Sequence, residues 1–156
     1  MTVAAAAALI RAGKLVAFPT ETVYGLGANA LDAAAVARIF TVKGRPRGSP
    51  LIVHCDSLEM ARGLALEWPD AAERLGHKYW PGPLTLVLRK HPSIPDIVTA
   101  GLPTVGLRVP AHPLALELIR AAGVPIAAPS ANLITGLSPT TAEHVRRALG
   151  EAVEGV

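Results

Sequence analysis

The sequence holds one cysteine, Cys55, in 156 residues. That excludes an intramolecular disulfide framework and fits a reducing compartment. With no second thiol nearby, a zinc cluster is not expected either. Aromatic residues are only 4% of the chain, so the core must be assembled mostly from Ala, Val, Leu and Ile. Charged residues are also sparse, at 17%, below the roughly one quarter usual in globular domains. Low charge with ample apolar content argues for a compact, well-buried domain and against disorder. Long apolar runs are missing as well. The segment from Val3 to Ile10 has no basic residues before it, and Arg11, Gly13 and Lys14 interrupt it, so it fails as a signal peptide. Nothing approaches the roughly 20 apolar residues that cross a bilayer. The expectation is a cytoplasmic protein with no membrane partner.

What is present points to one domain over residues 1–156, with 51% hydrophobic residues available for its core. Fifteen Lys and Arg against twelve Asp and Glu leave a net charge of +3. A solvated basic surface explains that excess, and so does an anionic ligand such as a nucleotide or RNA. Charge balance does not choose between them.

Helix and strand signals alternate along the chain. Thr2 caps an Ala-rich helix running to Ala12, which Gly13 ends. Leu15 to Phe18 reads as a strand stopped by Pro19, and Val23 to Ala28 as a second extended segment. Asp32 caps a helix whose apolar face carries Val36, Ile39 and Phe40. Residues 43–50 then read as a loop, broken by Gly44, Pro46, Gly48 and Pro50. Leu51 to His54, Leu84 to Leu88, Thr104 to Val109 and Val124 to Ala128 are strand-like. Helices are expected from near Ser57, from near Asp70, and from Pro113 to Ala122 with Gly123 at the end. Thr140 and Glu143 form a capping box opening a last helix. Such alternation predicts an α/β fold, and the short, Pro-broken strands favour a twisted mixed sheet covered by helices.

Several segments have residue types suited to ligand chemistry. Gly25, Gly27 and Ala30 match a loose dinucleotide fingerprint, but the acidic residue expected about 20 positions on is absent, and Arg45 stands there. The glycines are better read as a tight turn or close packing. No Walker-type loop occurs, so a triphosphate would be held differently. Lys43 and Arg45, at alternate positions of an extended segment, would project to one side and grip phosphate oxygens. A solvated basic turn is the competing reading. Pro129-Ser130-Ala131-Asn132 follows a buried strand, where ligand sites gather in α/β sheets, although Ser and Asn equally serve a local turn. Glu21, within the hydroxyl-rich segment 19–25, is open to three readings: base, metal-linked carboxylate or salt-bridge partner. His54 reads as a satisfied, half-buried histidine. Arg108, between Leu107 and Val109 in a strand, needs an anionic partner, either a structural carboxylate or a ligand. Trp80-Pro81-Gly82-Pro83 reads as a rigid structural turn.

In order and spacing, five of these motifs resemble the YrdC/Sua5 family of threonylcarbamoyl-AMP synthases. They are Pro-Thr-Glu-Thr-Val-Tyr-Gly-Leu-Gly (19–27), Lys-Gly-Arg-Pro (43–46) with Pro-Leu-Ile-Val-His (50–54), Trp-Pro-Gly-Pro-Leu-Thr (80–85), Gly-Leu-Arg-Val-Pro (106–110) and Pro-Ser-Ala-Asn (129–132). The resemblance spans essentially the whole chain. It implies a concave basic cleft and a reaction that joins L-threonine, bicarbonate and ATP, with Mg²⁺ accompanying the nucleotide and pyrophosphate leaving. The product would pass to transfer proteins that make the threonylcarbamoyl-adenosine (t6A) of tRNA, with tRNA met indirectly or by weak binding to the cleft.

By the same resemblance, Lys43, Arg45, Ser49, Thr104, Ser130, Asn132 and Ser138 would bind ATP. Lys43 and Arg45 would be the catalytic pair, supplying positive charge for adenylyl transfer. Thr22, His54, Arg108 and the backbone at Ala128 would hold threonine, and no protein metal ligand is implied. The chain departs from the family pattern in three places. Ser49 stands where many relatives have Asn, and residues 133–136 are less polar than usual. The chain ends at Val156, before strands that the family carries further on. Two other functions fit less of the pattern: a non-catalytic RNA-binding module, and the carbamoyl-adenylate-forming domain of hydrogenase maturation proteins.

Overall fold

The computed structural model describes residues 1–44, 48–129, 142 and 155. The expected capping box at Thr140 and Glu143 lies outside the described residues. Elsewhere the local signals set the elements closely. Helix α1 (Val3–Arg11) starts where the Thr2 hydroxyl accepts from the Ala5 amide at 3.1 Å. Strands β1 (Val16–Pro19) and β2 (Tyr24–Asn29) follow, and α2 (Ala33–Lys43) is capped by the Asp32 carboxylate, which accepts from the Ala35 amide at 3.1 Å. After β3 (Ile52–His54), the Ser57 hydroxyl caps α3 (Leu58–Leu64), and α4 (Asp70–Tyr79) leads to β4 (Leu86–Arg89). Strand β5 (Thr104–Arg108), helix α5 (Pro113–Ala122) and strand β6 (Ile126–Ala128) complete the series. Pro opens α5, and Gly123 closes it at φ +70°.

The strands form one sheet in the order β1-β2-β6-β3-β5-β4. Among the six named strands β3 and β5 run parallel, and the other neighbouring pairs are antiparallel. The sheet is therefore mixed, as the short strands predict. Alternation along each strand divides the side chains between two layers. Leu26, Val53, Leu107 and Ala127 face a larger core with α2 and α3. Val16, Phe18, Ile126 and Ala128 face a smaller one with α1 and α5. Among the described residues no helix is long and apolar enough to cross a membrane.

One expectation needs adjustment, and a second is narrowed to one of its two readings. Lys43 does not lie in an extended segment. It ends α2 and is buried, and Gly44 at φ +66° supplies the left-handed C-cap. The alternate-position argument linking Lys43 to Arg45 therefore does not apply, and Arg45 itself lies outside the described residues. The glycines of the loose dinucleotide pattern sit inside β2, where Gly27 permits close packing. A Cβ there would come within 2.7 Å of both Ile126 Cγ2 and Phe18 Cε1.

Candidate active site

The parallel pair places two polar side chains side by side. His54 ends β3 and Arg108 ends β5, and the two are register partners. They sit at the carboxyl ends of the parallel strands, where ligands bind in open α/β sheets. Both project to the face carrying α1 and α5, and His54 packs edge-on against Phe18 at 5.8 Å between ring centroids. Beside His54 and Arg108 a cavity of about 200 Å³ remains open. The strands contribute Gly25, Ile52, His54, Arg108 and Ala128 to its wall. The β1–β2 connection adds Thr20, Thr22 and Val23, and Pro129 follows β6.

The connection is held by its own hydroxyls. Thr20 Oγ1 donates to the Val23 carbonyl at 2.6 Å and accepts from the Thr22 and Val23 amides, each at 3.2 Å. Its Oγ1 also lies 3.0 Å from Thr22 Oγ1. This compact turn fixes both threonines and the intervening Glu21.

Arg108 is held from two sides. Its Nε donates to the Gly82 carbonyl at 3.1 Å, and its Nη2 forms an ion pair with Glu21 Oε1. Glu21 Oε2 also accepts from the Ala111 amide at 2.9 Å. The structural carboxylate left open by the sequence is thus Glu21, and its role as a salt-bridge partner is resolved. The turn at 80–83 is likewise structural, as expected, but it also carries an acceptor for Arg108. Gly82 donates its amide to the Val109 carbonyl at 2.8 Å, and a Cβ there would lie 2.4 Å from the Tyr79 carbonyl oxygen. Trp80 secures the turn by donating Nε1 to the Leu84 carbonyl at 2.8 Å.

His54 is fully buried, beyond the half-burial expected from its strand-end position. Burial, followed by the nearby Arg108 charge, pushes its pKa down to about 4. Nδ1 lies 3.3 Å from the Ile126 carbonyl, which can only accept, so the tautomer protonated at Nδ1 donates there. Burial likewise pushes the Cys55 thiol well above its ordinary range, so this cysteine is an inert core residue.

All four residues assigned to threonine, namely Thr22, His54, Arg108 and Ala128, line this cavity. Those assigned to ATP are not gathered there. Thr104 begins β5, on the same sheet face as Arg108 and roughly 13 Å from it at the rise of an extended chain. Lys43 ends α2, and Ser49 is half-buried in the connection before β3. Arg45, Ser130, Asn132 and Ser138 lie outside the described residues. The candidate segments 19–25 and 129–132 contain Thr20, Val23, Gly25 and Pro129 without giving them individual roles, and sequence reasoning missed the cavity role of Ile52 and the hold of Gly82 on Arg108. The alternation Ile52–His54 was the available signal for Ile52.

Fold and cavity together define an α/β domain whose mixed sheet presents a small preformed pocket with a buried, clamped arginine. The chain belongs to the Sua5/YciO/YrdC family, whose model, described as telomere recombination, matches residues 8–156. It is 60% identical over 140 residues to the threonylcarbamoyl-AMP synthase of Pyrococcus abyssi, covering 90% of this chain and 41% of the relative. To the Bacillus subtilis threonylcarbamoyl-AMP synthase it is 52% identical over 155 residues, covering 99% of this chain and 45% of the relative. The chain thus spans less than half the length of these relatives. A solved structure of P. abyssi Sua5 complexed with L-threonine superposes with a TM-score of 0.96 at 56% identity, over 98% of this chain and 45% of that one.

Proposed function

We propose that this chain forms threonylcarbamoyl-AMP and pyrophosphate from L-threonine, bicarbonate and ATP, in the cytoplasm, for the t6A modification of tRNA. The observation that carries the reading is the convergence of Thr22, His54, Arg108 and Ala128 on one cavity. Arg108 would receive the threonine carboxylate, and the threonine hydroxyls and backbone of the wall would receive its hydroxyl and amine. The neutral amine attacks the bicarbonate carbon, forming the C–N bond as the C–OH bond breaks, and the hydroxide leaves with an amine proton as water, so that the nitrogen now carries a carboxylate. That carboxylate attacks the α-phosphorus of ATP as the bond to pyrophosphate breaks. Attacker and electrophile are both anionic, so positioning and fixed positive charge are the protein's main contributions. Lys43, Arg45, Ser49, Thr104, Ser130, Asn132 and Ser138 are the groups proposed for the nucleotide.

Mg²⁺ enters as the companion of the triphosphate. Among the described residues no group of three or more His, Cys, Asp or Glu side chains could hold a metal. The ion would therefore rest on phosphate oxygens, and no step above passes through it.

Pyrophosphate release that requires both L-threonine and bicarbonate tests the reading directly. A folded chain that binds neither ATP nor threonine by calorimetry would reject it. Lys43→Ala is expected to weaken ATP binding at least about tenfold, about 1.4 kcal/mol. Unchanged affinity would remove Lys43 from the nucleotide site.

A further inference from the structure

Glu21 has no part in the reaction as described, yet its carboxylate joins the ends of distant segments. It sits in the β1–β2 turn, pairs with Arg108 at the end of β5, and accepts from the amide of Ala111 before α5. It does not line the cavity, so it reaches a ligand only through Arg108. The Arg108 side chain is 9% exposed and that of Glu21 24%, so the arginine is buried while its partner keeps a side open to water. Among the described lining residues Arg108 is the charged one, because His54 stays neutral near pH 7.

A buried arginine without a counter-charge favours a ligand of net charge −1, because such a ligand neutralises it. With Glu21 in contact, the wall is already balanced. An anion would then bring an uncompensated charge beside an already balanced pair, whereas a zwitterion brings none. Two Arg108 nitrogens are occupied by protein acceptors, Nε by Gly82 and Nη2 by Glu21. The guanidinium is thereby fixed in orientation before any ligand arrives.

We propose that Glu21 is a positioning residue that sets the charge selectivity of this cavity. By clamping Arg108 and balancing its charge, it makes the pocket prefer a zwitterionic amino acid to an anion of the same shape. The inference rests on the amino-acid reading of the cavity given above.

The probes are L-threonine and its hydroxy-acid analogue, in which a hydroxyl replaces the ammonium group. Their dissociation constants are measured by calorimetry on the full chain and on E21Q and E21D, with thermal unfolding as a check on folding. The wild type should bind L-threonine at least tenfold more tightly than the analogue. E21Q removes the negative charge, and the preference should shrink at least tenfold. E21D keeps the charge but shortens the reach, so both affinities should fall by a similar factor with the preference retained.

A wild type that binds both probes equally overturns the proposal, whether or not E21Q folds. So does an E21Q that loses affinity for both by one factor, which is the signature of a merely structural strap. An E21D that shifts the preference as far as E21Q also overturns it, since the charge is still present. If the wild type binds no L-threonine, the amino-acid reading itself falls; if it binds L-threonine but the ratio stays fixed in E21Q, only the role of Glu21 falls.

Discussion

The β1–β2 pair borders two hollows that differ in charge. Beyond Pro19 the chain lines the cavity with Thr20, Thr22 and Gly25, and Arg108 stands across it. Along Val16–Pro19 the same strand lines a groove of about 130 Å³ shared with α1 and α5, whose other contributors include Val3, Ala6, Leu114 and Leu118. No charged side chain lines the groove, whereas the cavity holds a clamped ion pair against one wall. The groove continues the smaller core, and its apolar lining is accounted for by folding. The cavity is the costlier arrangement, because partly buried charge needs well-placed partners before it stabilises anything. Where a fold maintains such an expense beside an opening, function explains it better than packing does.

Substitutions can break that contrast in either direction. The largest expected effect is on the apolar side. Leu118→Ala removes a buried side chain from the smaller core and should cost about 3 kcal/mol in denaturant unfolding, with threonine affinity unchanged. A coupled loss of affinity would mean that the two hollows are not independent.

Next in size is the pH response of His54. Its pKa falls from 6.5 in the unfolded chain to about 4 in the fold, so below pH 6.5 the unfolded state binds more protons. Stability from this group is complete above pH 6.5 and is lost as pH falls towards 4, on the order of 3 kcal/mol in all. Melting temperature should drop through that window, and more shallowly in His54→Gln. Equal slopes would assign the acid sensitivity to other groups.

Arg108→Gln should weaken L-threonine binding about a hundredfold, about 2.7 kcal/mol, measured by calorimetry. A loss under threefold would show that the arginine serves only Glu21 and Gly82. Smallest is Leu114→Ser at the exposed rim of the groove, expected to change stability by no more than about 0.5 kcal/mol. A clear destabilisation there would make the groove a packed part of the core.

Much of the fold was legible because its signals are local. Thr2, Asp32, Ser57 and Gly123 each act within a few residues of the helix end they set. Lys43 was misplaced for a related reason. The glycine and prolines that follow it announced a loop, while the loop begins only at Gly44. Convergence of motifs on one cavity was legible only through the family resemblance, since strand order does not follow from any one segment. Glu21 and Arg108 are 87 positions apart, and nothing near either names the other. Three readings of Glu21 therefore stood open until tertiary geometry chose one.

The register between β3 and β5 has a consequence for how this pocket can vary. Side chains alternate between sheet faces, so sliding β5 by one residue would set Leu107 beside His54 and turn the guanidinium into the opposite layer. No intermediate placement exists. Insertions or deletions in the stretch joining the two strands keep His54 beside Arg108 only while this pairing stays in phase, and a single step out of phase silences the pocket outright. Recognition here behaves less like a dial than like a switch thrown once, during folding.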